Sequence, residues 1–223
     1  MKKVIKMLNK SKGDMYDWVT HTWNPIRGLC KHNCDYCYMK IYPQKEIRLV
    51  EKELTLDLGK DNTIFIGSGT DMFASDVKDE WIEDVLSHCR KYPDNLYVFQ
   101  SKNPIRFEDF RLLYPPYVFF GTTIETNREN NLNNAPPRAE RLKAISQEWL
   151  VGKTFITIEP IMKFDLMPFV EMMSLAEPKW INIGADSKDH NLPEPTKEEV
   201  IDFADIVRSF IEVKPKRNLE RLI

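Results

Sequence analysis

Residues 30–37 read Cys30-Lys31-His32-Asn33-Cys34-Asp35-Tyr36-Cys37, three cysteines within eight positions, and the next cysteine along the chain is Cys89. The run follows a strand-like segment and leads into a helical pattern. Thiolates hold an iron-sulfur cluster through separate irons, so a loop that gives three leaves one iron free to bind something other than protein. That is the reading the spacing favours, and a cluster held that way serves chemistry. Structural zinc instead takes four closed ligands, and His32 would complete a three-cysteine, one-histidine site, although its place inside the short loop strains convergence with its neighbours. Four cysteines in 223 residues, with no recognisable secretory signal, argue against a disulfide framework. Cys89 shares a helical face with Trp81, Ile82, Val85 and Leu86 and reads as a buried small hydrophobe.

Outward from the cysteine loop the chain alternates short apolar runs with amphipathic segments. Runs rich in β-branched and aromatic residues predict strands at 17–23, 63–68, 96–101, 117–124, 154–159 and 180–184. Helical patterns fall at 35–45, 77–91, 105–113, 138–150, 166–175 and 196–211. Strand-helix units in succession imply an α/β protein with a parallel sheet and right-handed crossovers. Six units are too few for a closed eight-stranded barrel; a partial barrel and a doubly wound sheet both satisfy the pattern. In a barrel of parallel strands the chemistry gathers at the carboxyl ends, where the cysteine loop lies.

Composition is that of an ordinary globular chain, with 42% hydrophobic and 30% charged residues, and no apolar run approaches membrane-spanning length. Lys and Arg total 32 against 34 Asp and Glu, a formal charge of −2, so the whole-chain basic footprint of a nucleic-acid binder is missing. A single domain over 1–223 is expected, its core at about 16–212, with a lysine-rich arm at 1–13 and a tail at 213–223. The arm carries five lysines before position 13 and reads as a solvated terminus. Pro115-Pro116 and Pro136-Pro137 punctuate loops.

The CxxxCxxC loop, with an aromatic residue just before its last cysteine, resembles the signature of the radical S-adenosylmethionine (radical SAM) superfamily. The stretches TWNPIRGLC, CDYCY, IFIGSGTDMFASDV, YVFQSKNPIRF, FFGTTIET and FITIEPIM resemble a phage-associated family of unknown function within it, over residues 18 to about 186. The resemblance implies a partial (β/α)6 TIM-like barrel. It also implies a 4Fe-4S cluster on Cys30, Cys34 and Cys37 and SAM as the second cofactor, with Tyr36 and Tyr38 walling the adenine.

The strand ends then acquire expected roles. The second predicted strand closes in Gly67-Ser68-Gly69-Thr70-Asp71, which the resemblance assigns to the methionyl amino group of SAM, although the usual form carries adjacent glycines and an earlier acid; the alternative is a glycine-rich turn. Lys102, after the third, pairs with the SAM carboxylate or an anionic substrate, or caps a loop in solvent. Thr122, Thr123 and Glu125 offer hydroxyls and a carboxylate suited to the SAM ribose. Glu159, fixed at the strand end by Pro160, is a candidate SAM or substrate ligand. Asn182 and Asp186 end the sixth strand and are candidates for reading substrate polarity, Asn24 and Pro25 shape the cysteine loop, and His21 reads as structural.

The expected activity is reductive cleavage of SAM to a 5′-deoxyadenosyl radical that takes hydrogen from a substrate. A small molecule, a nucleotide or DNA base, or a partner protein all stand open as that substrate. A low-potential electron donor of flavodoxin or ferredoxin type, a cytoplasmic location and no membrane association go with it. The reading from a different class is a non-catalytic zinc or redox-responsive module built on Cys30, Cys34, Cys37 and His32.

Overall fold

The structure, a computed structural model, describes residues 8–13, 15–43 and 45–223. In chain order its elements are β1 (Asn9–Lys10), β2 (His21–Trp23), β3 (Ile26–Arg27), β4 (Arg48–Leu49), β5 (Thr63–Ile66), α1 (Asp79–Arg90), β6 (Leu96–Gln100), β7 (Val118–Thr123), α2 (Arg138–Ile145), β8 (Thr154–Ile158), α3 (Leu166–Ala176), β9 (Trp180–Ile183), α4 (Lys197–Arg208) and β10 (Glu212–Pro215). Eight strands form one sheet in the order β1-β2-β5-β6-β7-β8-β9-β10. Every neighbouring pair from β2 to β10 is parallel, while β1 runs antiparallel on β2. This mixed α/β sheet is a partial TIM-like barrel. β3 and β4 make a separate two-stranded ribbon flanking the cysteine loop.

The two faces of the sheet follow from the two-residue period of each strand. Ile64 and Ile66, Tyr97 and Phe99, Val118 and Phe120, Ile156 and Ile158, and Ile181 and Ile183 pack outward against the helices in the main core. The alternate positions Phe65, Val98, Phe155 and Trp180 close the bottom of the inner face with Tyr16 and Val19. Tyr16 stacks on Trp18, and the Phe155 and Trp180 rings stack on each other 5.2 Å apart. Above that aromatic floor the inner face turns polar: Tyr16 donates to Gln100 (2.6 Å), Gln100 to Thr123 (3.1 Å) and Asn182 to Thr157 (3.2 Å).

All six predicted strands are present, each trimmed by one to four residues at its ends. Two predicted helices are not α-helices. Among the described residues of 35–45 the helical element is the 3-10 turn Tyr38–Ile41, because backbone N–H groups are spent closing the cysteine loop, and residues 105–113 fall in the 3-10 segment Pro104–Phe110 and the turn after it. The face of α1 predicted to hide Cys89 does so, with Ile82, Val85, Leu86 and Cys89 buried.

The sheet continues beyond residues 16–212 at both ends. Lys10 pairs with His21 as an edge strand, although residues 1–7 of the lysine-rich arm lie outside the described residues. At the other end Glu212–Pro215 extends the sheet as β10, and Leu219 in the following 3-10 turn is buried in the main core. The basic residues of that segment conceal a β pattern, since Val213 packs on the core while Lys214 and Lys216 lay their ammonium groups over the rings of Trp180 and Tyr16. Leu219→Ala is therefore expected to lower stability by about 2–5 kcal/mol, as for a buried core leucine. Urea unfolding checks this; a loss near zero would mean the segment is a detachable tail.

Candidate functional site

Backbone hydrogen bonds hold the cysteine loop in tight turns, Asn33 N–H to Cys30 O (3.2 Å) and Cys37 N–H to Cys34 O (3.1 Å). A second loop staples it from the side: Asp35 N–H donates to Leu132 O (2.9 Å) and Asn134 N–H to His32 O (2.7 Å). Cys34 is buried, Cys30 and Cys37 are partly so, and none is in a disulfide. Burial, with the Asp71 carboxylate beside it, pushes the Cys30 thiol up to about 12. Burial also raises Cys34, against the opposing pull of the Lys102 ammonium. Both thiols are thus neutral until a metal displaces their protons, as metal ligation by cysteine requires.

A cavity of about 540 Å³ opens at the carboxyl ends of the strands and reaches down to Cys34 and Cys37. Among the described residues no three histidine, cysteine or acidic side chains converge as a single metal ion demands. A cluster makes a different demand, because each cysteine binds a different iron. Three thiols on one loop, two of them on a cavity wall, and no fourth cysteine near fit such a group with one position open. His32 is committed elsewhere: buried, it places Nε2 2.9 Å from Asp71 Oδ2.

Tyr36, between the last two cysteines, anchors the loop to the barrel. Its hydroxyl donates to Glu125 Oε1 (2.5 Å), which also pairs with Lys102, while Lys102 Nζ lies 4.6 Å above the Tyr36 ring. Arg141 of α2 closes the knot from behind, 3.5 Å from Glu125 Oε2. Burial alone would raise the Glu125 carboxyl, but the ammonium of Lys102, the guanidinium of Arg141 and the hydrogen bonds from Lys102 and Tyr36 hold it down at about 2. Burial likewise opposes the Lys102 charge, and the Glu125 carboxylate beside it more than restores it, so the lysine stays protonated.

The other expected contacts divide into those on the cavity and those behind it. Tyr36, Tyr38, Ser68, Lys102 and Glu159 line it with Cys34 and Cys37. Tyr38 donates its hydroxyl to the carbonyl of Ser68, joining the cysteine loop to the end of β5. Gly67 does not line the cavity; it has φ +79° and a Cβ there would lie 2.8 Å from Thr70 O, so glycine is required by the turn itself. Gly69 gives its N–H to Asn24 Oδ1 (2.8 Å), which also assigns Asn24 a loop-shaping contact. Asp71 is spent within the protein, accepting from Ser101 Oγ and the N–H groups of Lys102 and Phe73 in addition to meeting His32. Thr122 points to the outer face, where its buried hydroxyl donates to Ser101 O (2.8 Å), and Thr123 accepts from Gln100. Glu125 is fully buried beneath Tyr36 and Lys102. Asp71, Thr122 and Glu125 each spend their polar atoms on protein partners, behind the residues that line the cavity.

Glu159 is held from a direction the sequence did not announce. Lys216, just beyond β10, places Nζ 2.5 Å from Glu159 Oε2, and Asn218 Nδ2 lies 2.7 Å from Oε1. Gly184 makes room, since a Cβ there would meet Asn218 Oδ1 at 2.8 Å and Glu159 Oε1 at 2.9 Å. Tyr16 and Gln100 on the inner face also went unassigned; a tyrosine just before a strand and a glutamine at a strand's polar end were the available signals. Asp186 accepts from His190 Nδ1 (2.6 Å) on the far wall.

Glu125→Gln would leave Lys102 and Arg141 without their carboxylate, and breaking a buried pair this way costs about 3–5 kcal/mol near neutral pH. The folded-state pKa is depressed, so this stabilisation is present above the unfolded carboxyl value and is lost as pH falls toward 2. Urea unfolding of both proteins should show a gap that narrows between about pH 4.5 and 2; a gap independent of pH would refute the ionised knot.

A family model described as "Protein of unknown function (DUF5131)" matches residues 14–197. No curated protein matches in sequence. Among solved structures the chain is similar to a cysteine-to-serine mutant of spore photoproduct lyase, with 12% identity, TM-score 0.64, and 99% of this chain and 78% of that chain covered. It is similar also to the lyase complexed with dinucleoside spore photoproduct (12%, 0.63, 100% and 78%) and to a double mutant with bound AdoMet and dinucleoside spore photoproduct (11%, 0.62, 100% and 78%). At such identity the likeness is one of fold.

Proposed function

The chain belongs to the DUF5131 family, and we propose that it is a radical SAM enzyme. The observation that carries this reading is the pairing of a three-cysteine loop with the carboxyl-end cavity of a partial barrel, where Cys34 and Cys37 reach the cavity wall. A solved structure of the same fold holds AdoMet, which supports SAM as the second ligand. Cys30, Cys34 and Cys37 would hold a 4Fe-4S cluster. The chemistry such a group supplies when bound is one-electron reductive cleavage of SAM to methionine and a 5′-deoxyadenosyl radical.

The chain's own residues prepare the place for it. Tyr36, pinned by Glu125 and Lys102, orients the segment between Cys34 and Cys37, and Tyr38 pins the other side to Ser68. Tyr38, half-exposed at the wall, is the side chain best placed to cover an adenine face, and Ser68 presents backbone to an amino group. Lys102 supplies a fixed positive charge for a carboxylate. Glu159, oriented by Lys216 and Asn218, faces ribose or substrate hydroxyls. The aromatic floor below excludes water from the inner end. A low-potential donor of flavodoxin or ferredoxin type, a reducing cytoplasmic setting and a substrate that is a small molecule, nucleotide or partner protein complete the proposal. Among the described residues no helix is long and apolar enough to cross a membrane.

Anaerobic reconstitution with iron and sulfide, followed by dithionite and SAM, should give a four-iron chromophore and 5′-deoxyadenosine. Cys34→Ala should reduce the product to background. One bound zinc per chain with no cluster and no deoxyadenosine would replace this proposal with a metal-stabilised binding module; the engagement of His32 with Asp71 weighs against that outcome.

A further inference from the structure

Five lysines line the cavity, in a chain whose overall charge is −2. Lys102 is neutralised by Glu125 and Lys216 by Glu159. Asp186, the remaining carboxylate on the described wall, is taken by His190 Nδ1 and by the N–H groups of Lys188 and His190. Lys10, Lys12 and Lys188 are left, and none of them is ion-paired with a described residue. They arrive from opposite ends of the sheet order. Lys10 is in β1 and Lys12 follows it, while Lys188 follows β9, and the curl of the sheet brings them to one cavity. Unpaired ammonium groups around one concave wall repel each other and raise a positive potential there, which an anion relieves.

We propose that this rim binds a phosphate group, so that the substrate is a small phosphate ester, with mononucleotides in that class. Its phosphate is held by Lys10, Lys12 and Lys188 and the rest of the molecule is turned inward toward Cys34 and Cys37. The assignment of substrate rests on the radical SAM reading above; the anion site itself does not. A phosphate monoester carries a charge of about −1.5 to −2 near neutral pH, which suits three mobile point charges better than a monocarboxylate does. The cavity has the size of a small-molecule site, and a net charge of −2 lacks the whole-chain basic footprint of a nucleic-acid binder. Lys216 and Glu159 adjoin the rim and hold the inner end of the same pocket.

Isothermal titration of the protein without SAM, with inorganic phosphate, pyrophosphate and the four deoxynucleoside 5′-monophosphates, tests the site. The expected result is binding of phosphate-bearing probes, at least tenfold weaker binding of the matching nucleosides, and affinity that falls as salt screens the lysines. Lys12→Glu combined with Lys188→Glu should weaken phosphate binding at least tenfold, whereas Lys12→Arg with Lys188→Arg should retain it, both with an unchanged thermal midpoint. No binding of phosphate probes by wild type, or equal binding of nucleoside and nucleotide, would overturn the proposal. So would unchanged binding by the charge-reversed variant, or, if that variant misfolds, wild-type binding indifferent to salt. A ten-nucleotide single strand bound more tightly than any monophosphate would overturn the small-ester assignment in favour of nucleic acid. Deoxyadenosine formation by wild type is scored separately, so lysine-dependent phosphate binding by a protein that makes none would leave the anion site standing and the radical reading fallen.

Discussion

The ion-paired knot of Glu125 with Lys102, Arg141 and the Tyr36 hydroxyl is the constraint on which the site depends. It ties the cysteine loop to the ends of the neighbouring strands β6 and β7 and to the first helix after them. A carboxylate taken fully out of water is stable only when its partners surround it, so the knot holds in one arrangement and weakens if any partner withdraws. Because Tyr36 lies between Cys34 and Cys37, that all-or-none character is handed to the spacing of the thiols. A second clasp, His32 on Asp71 with Ser101 and the Lys102 N–H, fixes the front of the same loop. The loop is therefore held on both sides by charged hydrogen bonds that do not use the cysteine sulfurs.

Beneath these clasps the barrel divides its inner face by height. Phe65, Val98, Phe155 and Trp180 fill the bottom, Gln100, Thr157 and Asn182 form a hydrogen-bonded middle, and the charged residues appear only where the strands end. An apolar floor lowers the local dielectric beneath the charges at the mouth and strengthens their pairings.

Much of this was legible in local sequence. Strand positions followed from short β-branched and aromatic runs, the direction of the site from the place of Cys30 to Cys37, and the burial of Cys89 from helical spacing. What escaped reading was contact across long separations. Lys216 and Asn218 lie 57 and 59 residues from Glu159, and nothing in the basic run 214–221 marks it as a strand followed by a site buttress. Thr122 and Thr123 look alike in sequence, yet the two-residue period sends Thr122 outward to Ser101 and Thr123 inward to Gln100. Asp71 and Glu125 had the right chemistry for a ligand, but a carboxylate's preference is decided by which donors the fold brings to it, and here those are protein donors.

The distribution of charge along the chain points the same way. Arms rich in lysine are most often solvated, and the beginning of this chain reads so in isolation. Pairing of Lys10 with His21 changes the consequence, because it anchors that stretch as a strand at the edge of the sheet and sets the exposed Lys10 and Lys12 at the cavity's mouth. Lysines held there without an ionic partner among the described residues repel one another, and an anion in the cavity relieves that repulsion. Among the described residues, the carboxylates on and under the cavity wall are engaged: Glu125 by the knot under the cysteine loop, Glu159 by the C-terminal segment and Asp186 by His190. The same pairings that rigidify the floor and walls of the site are thus what leave its rim positive.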